Sequence, residues 1–173
     1  MLNISFALSF YSIGCSTFSV YTYILTPKFD IRAYVDTIAD SVKILCEQHG
    51  KTLWVQINIK NILICIDCSF VSQVNNNLIS NALRYAKSEV HISYVSDNNG
   101  FYISVSDDGC GFTKDVLNKA TNPYFTEEKD HSEHFGLGLY ICKILCEHHG
   151  GYLKIENCST GAKVTAFFKS LDL

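Results

Sequence analysis

Three stretches of the chain repeat apolar residues at intervals of three and four, and shorter stretches between them alternate apolar with polar positions. That pattern predicts helices interleaved with strands. Pro27 closes an uncharged leader, and Asp30 can cap a helix whose Ile31, Val35, Ile38, Val42 and Leu45 share one face until His49-Gly50 ends it. Leu53 to Ile59 and Ile62 to Ile66 read as strands, with Asn61 suited to a turn between them. A second helix runs from about Ser69 to Tyr85, its apolar stripe made by Val71, Val74, Leu78, Ala82 and Tyr85. Val90, Ile92 and Tyr94 alternate, Asn99-Gly100 signals a hairpin, and Phe101, Ile103 and Val105 alternate again, which predicts an antiparallel pair. Thr113 can cap a short helix through Leu117. From about Thr121 to Phe135 the chain is polar and aperiodic, and it reads as a lid. Leu137, Ile141, Ile144, Leu145 and His148 restore helical spacing until Gly150-Gly151. Two closing strands, Tyr152 to Glu156 and Lys163 to Phe168, are joined by a turn containing Gly161. This order predicts an α+β fold, a two-layer α/β sandwich with a mostly antiparallel sheet.

With 173 residues, 47% of them apolar, the chain can bury one sizeable core. The expected organisation is a leader over residues 1–28 and one globular unit over 29–173. A formal charge of -3 without any run of Lys or Arg argues against nucleic acid as a partner. The eight cysteines are scattered, several at apolar helix or strand positions, which favours reduced thiols and a cytoplasmic location. Cys65 with Cys68, and Cys142 with Cys146, lack the second pair that a structural zinc site needs, and His131 and His134 read as a solvated loop pair. Residues 1–27 carry no charged side chain and are long enough for a membrane span, but their Ser and Thr residues dilute the hydrophobicity. A membrane tether through residues 1–26, a loosely packed leader and the remnant of a longer sensor all stay open. Lys28 and Arg32 would leave the globular part on the cytoplasmic side of such a span.

The chemistry concentrates in three places. Asn77, Asn81 and Arg84 fall on one face of the second helix, beside its apolar stripe. Asp107-Asp108-Gly109-Cys110-Gly111 follows a strand, and Gly136-Leu137-Gly138-Leu139 opens a helix, so backbone N–H groups there can hold anionic oxygens. The three together indicate a nucleotide. The second cluster is not a P-loop, since no Gly-Lys-Ser or Gly-Lys-Thr ends it, and it lacks the third glycine of a dinucleotide fingerprint.

On these residues the chain resembles the ATP-binding catalytic domain of sensor histidine kinases, in the superfamily that also contains gyrase, Hsp90 and MutL. The asparagine box is Asn77 to Asn81, the glycine boxes are Asp107 to Gly111 and Gly136 to Gly138, Pro123-Tyr124-Phe125 stands at the phenylalanine box, and Gly161-Ala162 resembles a reduced last glycine motif. The resemblance implies a Bergerat-type fold that takes ATP and Mg2+. It makes Asn81 the metal ligand, places Asn77 and Arg84 at phosphate oxygens, and lets Asp107 accept a hydrogen bond from the exocyclic amine of adenine. Tyr85, Gly109, Gly111, Lys129, Gly136, Leu137, Gly138 and Leu139 complete the implied nucleotide site, with Phe125 anchoring the lid; Asp108 reads as a turn residue.

Gyrase-like and Hsp90-like relatives, and anti-sigma serine kinases, carry a glutamate four residues before the metal asparagine as a general base. Asn77 stands there instead, and an amide cannot take a proton, so transfer to histidine is favoured over hydrolysis. None of His49, His91, His131, His134, His148 or His149 has the phosphoacceptor context of a complete kinase, so no catalytic residue is assigned within the chain. The implied partners are a histidine-containing dimerisation domain and a response regulator. The alternative is a stand-alone nucleotide-binding regulator, anti-sigma-like or a pseudo-kinase, that acts by binding protein.

Overall fold

The structure, a computed structural model, describes residues 28–60, 63–119 and 137–170. Residues 1–27 of the leader, the lid with Lys129 and Pro123-Tyr124-Phe125, the pair His131 and His134, and Gly136 lie outside those residues. Helices α1 (Ile31–Gln48), α2 (Cys68–Tyr85), α3 (Lys114–Lys119) and α4 (Gly138–His148) accompany strands β1 (Lys28–Asp30), β2 (Thr52–Ile59), β3 (Leu63–Cys65), β4 (Glu89–Ser96), β5 (Gly100–Asp107), β6 (Tyr152–Asn157) and β7 (Ala162–Lys169). Asp30 caps α1 as expected, its carboxylate accepting the Ala33 N–H at 2.9 Å. Asp67 caps α2 in the same way through the Ser69 N–H at 2.8 Å.

Five strands form one sheet in the order β2-β4-β5-β7-β6, with β2 parallel to β4 and the other neighbours antiparallel. Alternation puts Val90, Ile92, Tyr94, Phe101, Ile103, Val105, Val164, Ala166 and Phe168 on the inner face, all buried. Against that face pack the buried stripes of α1, α2 and α4, so the molecule is a two-layer sandwich. Among the described residues no helix is long and apolar enough to cross a membrane.

Two features differ from the expectation. Strand β3 pairs antiparallel with β1, a strand the periodicity missed, and β2 pairs with β4. Three-residue strands have no period to read, and their partner is chosen by long-range packing, here the burial of Ile64 and Cys65. The stripe of α2 also shifts. Tyr85 is 46% exposed, while Asn75, Ile79 and Leu83 join Val71, Val74, Leu78 and Ala82 inside, because α2 packs both on the sheet and, along its flank, on α4 and so buries a wider face. The Tyr94 hydroxyl donates to Asn75 Oδ1 at 2.8 Å, which satisfies the one amide that this wider interface encloses.

Candidate functional site

Helix α2 is the rail on which the site is assembled. At its last residue, the Tyr85 carbonyl oxygen fills the space where a Cβ on Gly109 would stand. One turn earlier Asn81 meets the start of α4, where a Cβ added to Gly138 would lie 3.9 Å from Asn81 Nδ2. Two turns further back, the Cys142 thiol of α4 donates to the Val74 carbonyl oxygen at 4.0 Å. The two glycine clusters, separated by some thirty residues of chain, therefore meet one edge of one helix about one turn, or roughly 6 Å, apart.

Helix α4 begins without a side-chain cap, in contrast to α1 and α2. Leu137 occupies the cap position and makes no side-chain hydrogen bond to the first turn, and no acidic residue follows within that turn. Such an end carries partial positive charge and suits an anionic oxygen. It faces the neutral amide of Asn81.

Asp107 closes β5 on the inner face and is 6% exposed. Burial raises its carboxyl pKa above the ordinary range, and the N–H groups of Gly109, at 2.8 Å, and Ala162 offset part of that rise. Asp108 points away from it and accepts the backbone N–H groups of Lys87 at 2.8 Å, Ser88 at 2.9 Å and Glu89 at 3.1 Å. The hydroxyl and N–H of Ser88 and the neighbouring amides hold that carboxyl well below the usual carboxylate range. Asp108 thus fixes the loop to the end of α2, which gives its turn-residue reading a definite role.

Gly161 is the residue of the last, reduced glycine motif that the fold cannot replace. A Cβ there would lie 2.7 Å from the Gly109 nitrogen and press on the Asp107 carbonyl, and both obstacles are backbone. Gly161→Ala is expected to displace the Asp107 loop and destabilise the domain by roughly 1 to 3 kcal/mol, read as a lower thermal midpoint together with weaker nucleotide binding. An unchanged midpoint would mean that the loop gives way freely. Gly111, at φ 73°, adopts the left-handed conformation, and beside it Asn157 clamps Phe112 by accepting its N–H at 2.7 Å and donating to its carbonyl at 2.9 Å.

Residues 66–172 match the family described as histidine kinase-, DNA gyrase B-, and HSP90-like ATPase. The chain belongs to that ATPase family. Over 125 residues it is 30% identical to the sensor histidine kinase WalK of Bacillus subtilis, an alignment covering 68% of this chain and 20% of that protein. Sensor protein KdpD of Clostridium acetobutylicum is 25% identical over 147 residues, covering 81% of this chain and 16% of its own length. The chain thus spans about a fifth or less of these curated relatives. The fold matches the catalytic domain of histidine kinase ThkA with a TM-score of 0.69 at 20% identity, over 83% of this chain and 94% of that one.

Within this ATPase domain the expected residues divide into two groups. Asn77, Asn81, Gly138, Asp107 and Gly109 converge along α2, and Leu137 and Leu139 belong to the helix end beside Asn81, with Leu139 also packed on the core. Arg84 instead stands at the last turn of α2, with its guanidinium carbon 5.8 Å from the centre of the exposed Tyr85 ring. Among the described residues no group of three or more His, Cys, Asp or Glu side chains could hold a metal ion. Asn81 offers a neutral oxygen, which suits a hard cation that also draws ligands from phosphates and water. Periodicity and motif reading left the roles of Asn157 and Asp108 undetected, since both act by long-range hydrogen bonds to backbone and leave no local signal.

Proposed function

We propose that this chain is the ATP-binding catalytic domain of a sensor histidine kinase, which binds Mg-ATP and delivers its γ-phosphoryl to a histidine on a separate dimerisation module. The observation that carries the reading is the approach of both glycine clusters to one helix, Gly138 at Asn81 and Gly109 at the Tyr85 end of α2. In this reading Asn81 holds magnesium, the uncapped start of α4 and Asn77 receive phosphate oxygens, and Asp107 accepts the amine of adenine. Lys129, Gly136 and Arg84 remain assigned to phosphates, Gly111 to the base side, and Tyr85 to contact with the nucleotide. Catalysis would rest on positioning and charge neutralisation, because Asn77 supplies no base.

Three of the four histidines within the described residues are engaged elsewhere, which fits an acceptor supplied in trans. His91 pairs with Glu89 and stacks on Trp54 on the outer face of the sheet, and His49 Nδ1 lies 2.9 Å from the Leu45 carbonyl. His149 is 3% exposed, and its Nε2 accepts the Asp67 N–H at 3.3 Å.

The test has two steps. Calorimetry should register adenine nucleotide binding that depends on magnesium and is weaker for GTP. Mixing the domain with a dimerisation hairpin, a receiver domain and labelled ATP should then give an acid-labile phosphoprotein. Absence of nucleotide binding by folded protein would remove the reading. Binding and partner capture without transfer would instead identify the regulator.

A further inference from the structure

The first glycine cluster is pinned at both ends by side-chain hydrogen bonds to backbone. At its entry the Asp108 carboxylate accepts the N–H groups of Lys87, Ser88 and Glu89. At its exit Asn157, the last residue of β6 and 45 positions away along the chain, accepts the Phe112 N–H at 2.7 Å through Oδ1 and donates from Nδ2 to the Phe112 carbonyl at 2.9 Å. Only Gly109, Cys110 and Gly111 lie between the two anchors.

Bonds to both the N–H and the C=O of one residue reproduce, with a side chain, the exchange made by a hydrogen-bonded pair of antiparallel strands. They fix the plane of the backbone as well as its position. A primary amide presents a donor and an acceptor side by side, whereas a carboxylate of the same length presents two acceptors and a hydrocarbon presents neither. The partners also set the direction of the Asn157 amide, because the reversed amide would face donor with donor and oxygen with oxygen.

The same amide fills the room that a side chain at position 111 would need. A Cβ on Gly111 would stand 2.9 Å from Asn157 Oδ1. Four residues beyond Asn157, Gly161 lies against the backbone of Asp107 and Gly109, and the turn between β6 and β7 is closed by the Cys158 N–H donating to the Gly161 carbonyl at 2.9 Å. One hairpin end therefore touches the loop both before and after its flexible centre.

We propose that Asn157 is a positioning residue for purine recognition: its amide holds the chain at Phe112, so that the Gly109 to Gly111 backbone is preset as one wall of the base pocket beside the Asp107 carboxylate. The proposal rests on the function assigned above. Asn157 acts through Phe112 and not by contact with the nucleotide. Pre-setting matters because a three-residue segment with two glycines otherwise samples many conformations, and binding must then bear the entropy of selecting one.

Asn157→Leu keeps the approximate volume and removes both bonds, and Asn157→Asp keeps an acceptor for the Phe112 N–H while setting an oxygen against the Phe112 carbonyl. Position 157 is exposed, so the fold should survive either change. In competition against a fluorescent adenine nucleotide with magnesium, each variant is expected to bind ATP about tenfold more weakly but GTP no more than about twofold more weakly, because GTP draws on the phosphate side alone. The preference for ATP then narrows by about fivefold. A role confined to stability would weaken both nucleotides alike. A readout without nucleotide is hydrogen exchange of the Phe112 N–H, which should quicken at least about tenfold in both variants while the amides of β4 and β7 keep their rates.

Equal losses for ATP and GTP, unchanged ATP affinity, or a Phe112 amide indifferent to residue 157 would overturn the proposal while leaving the assigned function in place. If the unsubstituted protein binds no nucleotide although Phe112 still loses protection in the variants, the clamp stands as structure, and the assigned function falls together with the positioning role.

Discussion

Asn81→Ala is expected to eliminate magnesium-dependent ATP binding, a loss of at least about 100-fold, equivalent to roughly 2.7 kcal/mol. Asn81 lies opposite the uncapped start of α4, and in the proposed function the amide and the positively polarised helix end serve one ligand. On the proposed reading, removing the amide takes away the protein's ligand to the cation. The fold should not suffer. Asn81 is only half-buried, and alanine is the better helix former by about 0.5 kcal/mol, so the thermal midpoint should hold or rise slightly. Binding lost without stability lost is the diagnostic combination, to be read by calorimetry with and without EDTA beside a thermal melt. Retained magnesium-dependent binding would remove Asn81 from the site.

Asp107→Asn should weaken ATP binding by about 30-fold and erode discrimination against GTP, since a hydrogen bond to a charged group contributes roughly 1.5 to 3 kcal/mol. The carboxylate accepts from Gly109 and Ala162 and has acceptor capacity left for an amine. An asparagine in the same place has one acceptor oxygen for those two N–H groups, and its own NH2 must face either them or the amine of the base. Donor meets donor in both orientations.

The pH dependence has a fixed sign. Burial raises the pKa of Asp107 above the ordinary carboxylate value, and a protonated carboxyl is a poorer acceptor, so affinity should be full above the folded-state pKa and decline as the pH falls through it. That decline should begin at a higher pH than an exposed aspartate would give. The Asn variant should lack it, and a calorimetric pH series on both proteins checks the pair. Identical pH profiles would mean that Asp107 does not touch the nucleotide.

How much of this was readable beforehand depended on the range of the interactions. Helices α1, α2 and α4, the β4–β5 hairpin and the two closing strands follow from spacing and turn residues, because periodicity of apolar positions and Asn-Gly or Gly-Gly signals act within a few residues of chain. The ordered motifs around Asn77, Asp107 and Gly138 likewise identified the family, since each needs particular residue types at short separation.

Contacts between distant segments were not readable in that way. The pairing of β1 with β3, the inward turn of Asn75 toward Tyr94 and the exposure of Tyr85 arise from which surfaces α2 finds on either side of it. Asp108 looks like any turn residue until the end of α2 brings three backbone N–H groups to it. Cys142 looks like any apolar helix position until α4 lies against α2 and its thiol reaches the Val74 carbonyl.

Local chemistry along the chain therefore specified the elements, the nucleotide-binding motifs and the family. Packing decided which of those motifs meet, how far apart, and which buried groups hold them in place. The reason is physical: short-range periodicity and capping are encoded in neighbouring residues, whereas desolvation and hydrogen-bond satisfaction across the sandwich depend on surfaces that exist only once the layers close.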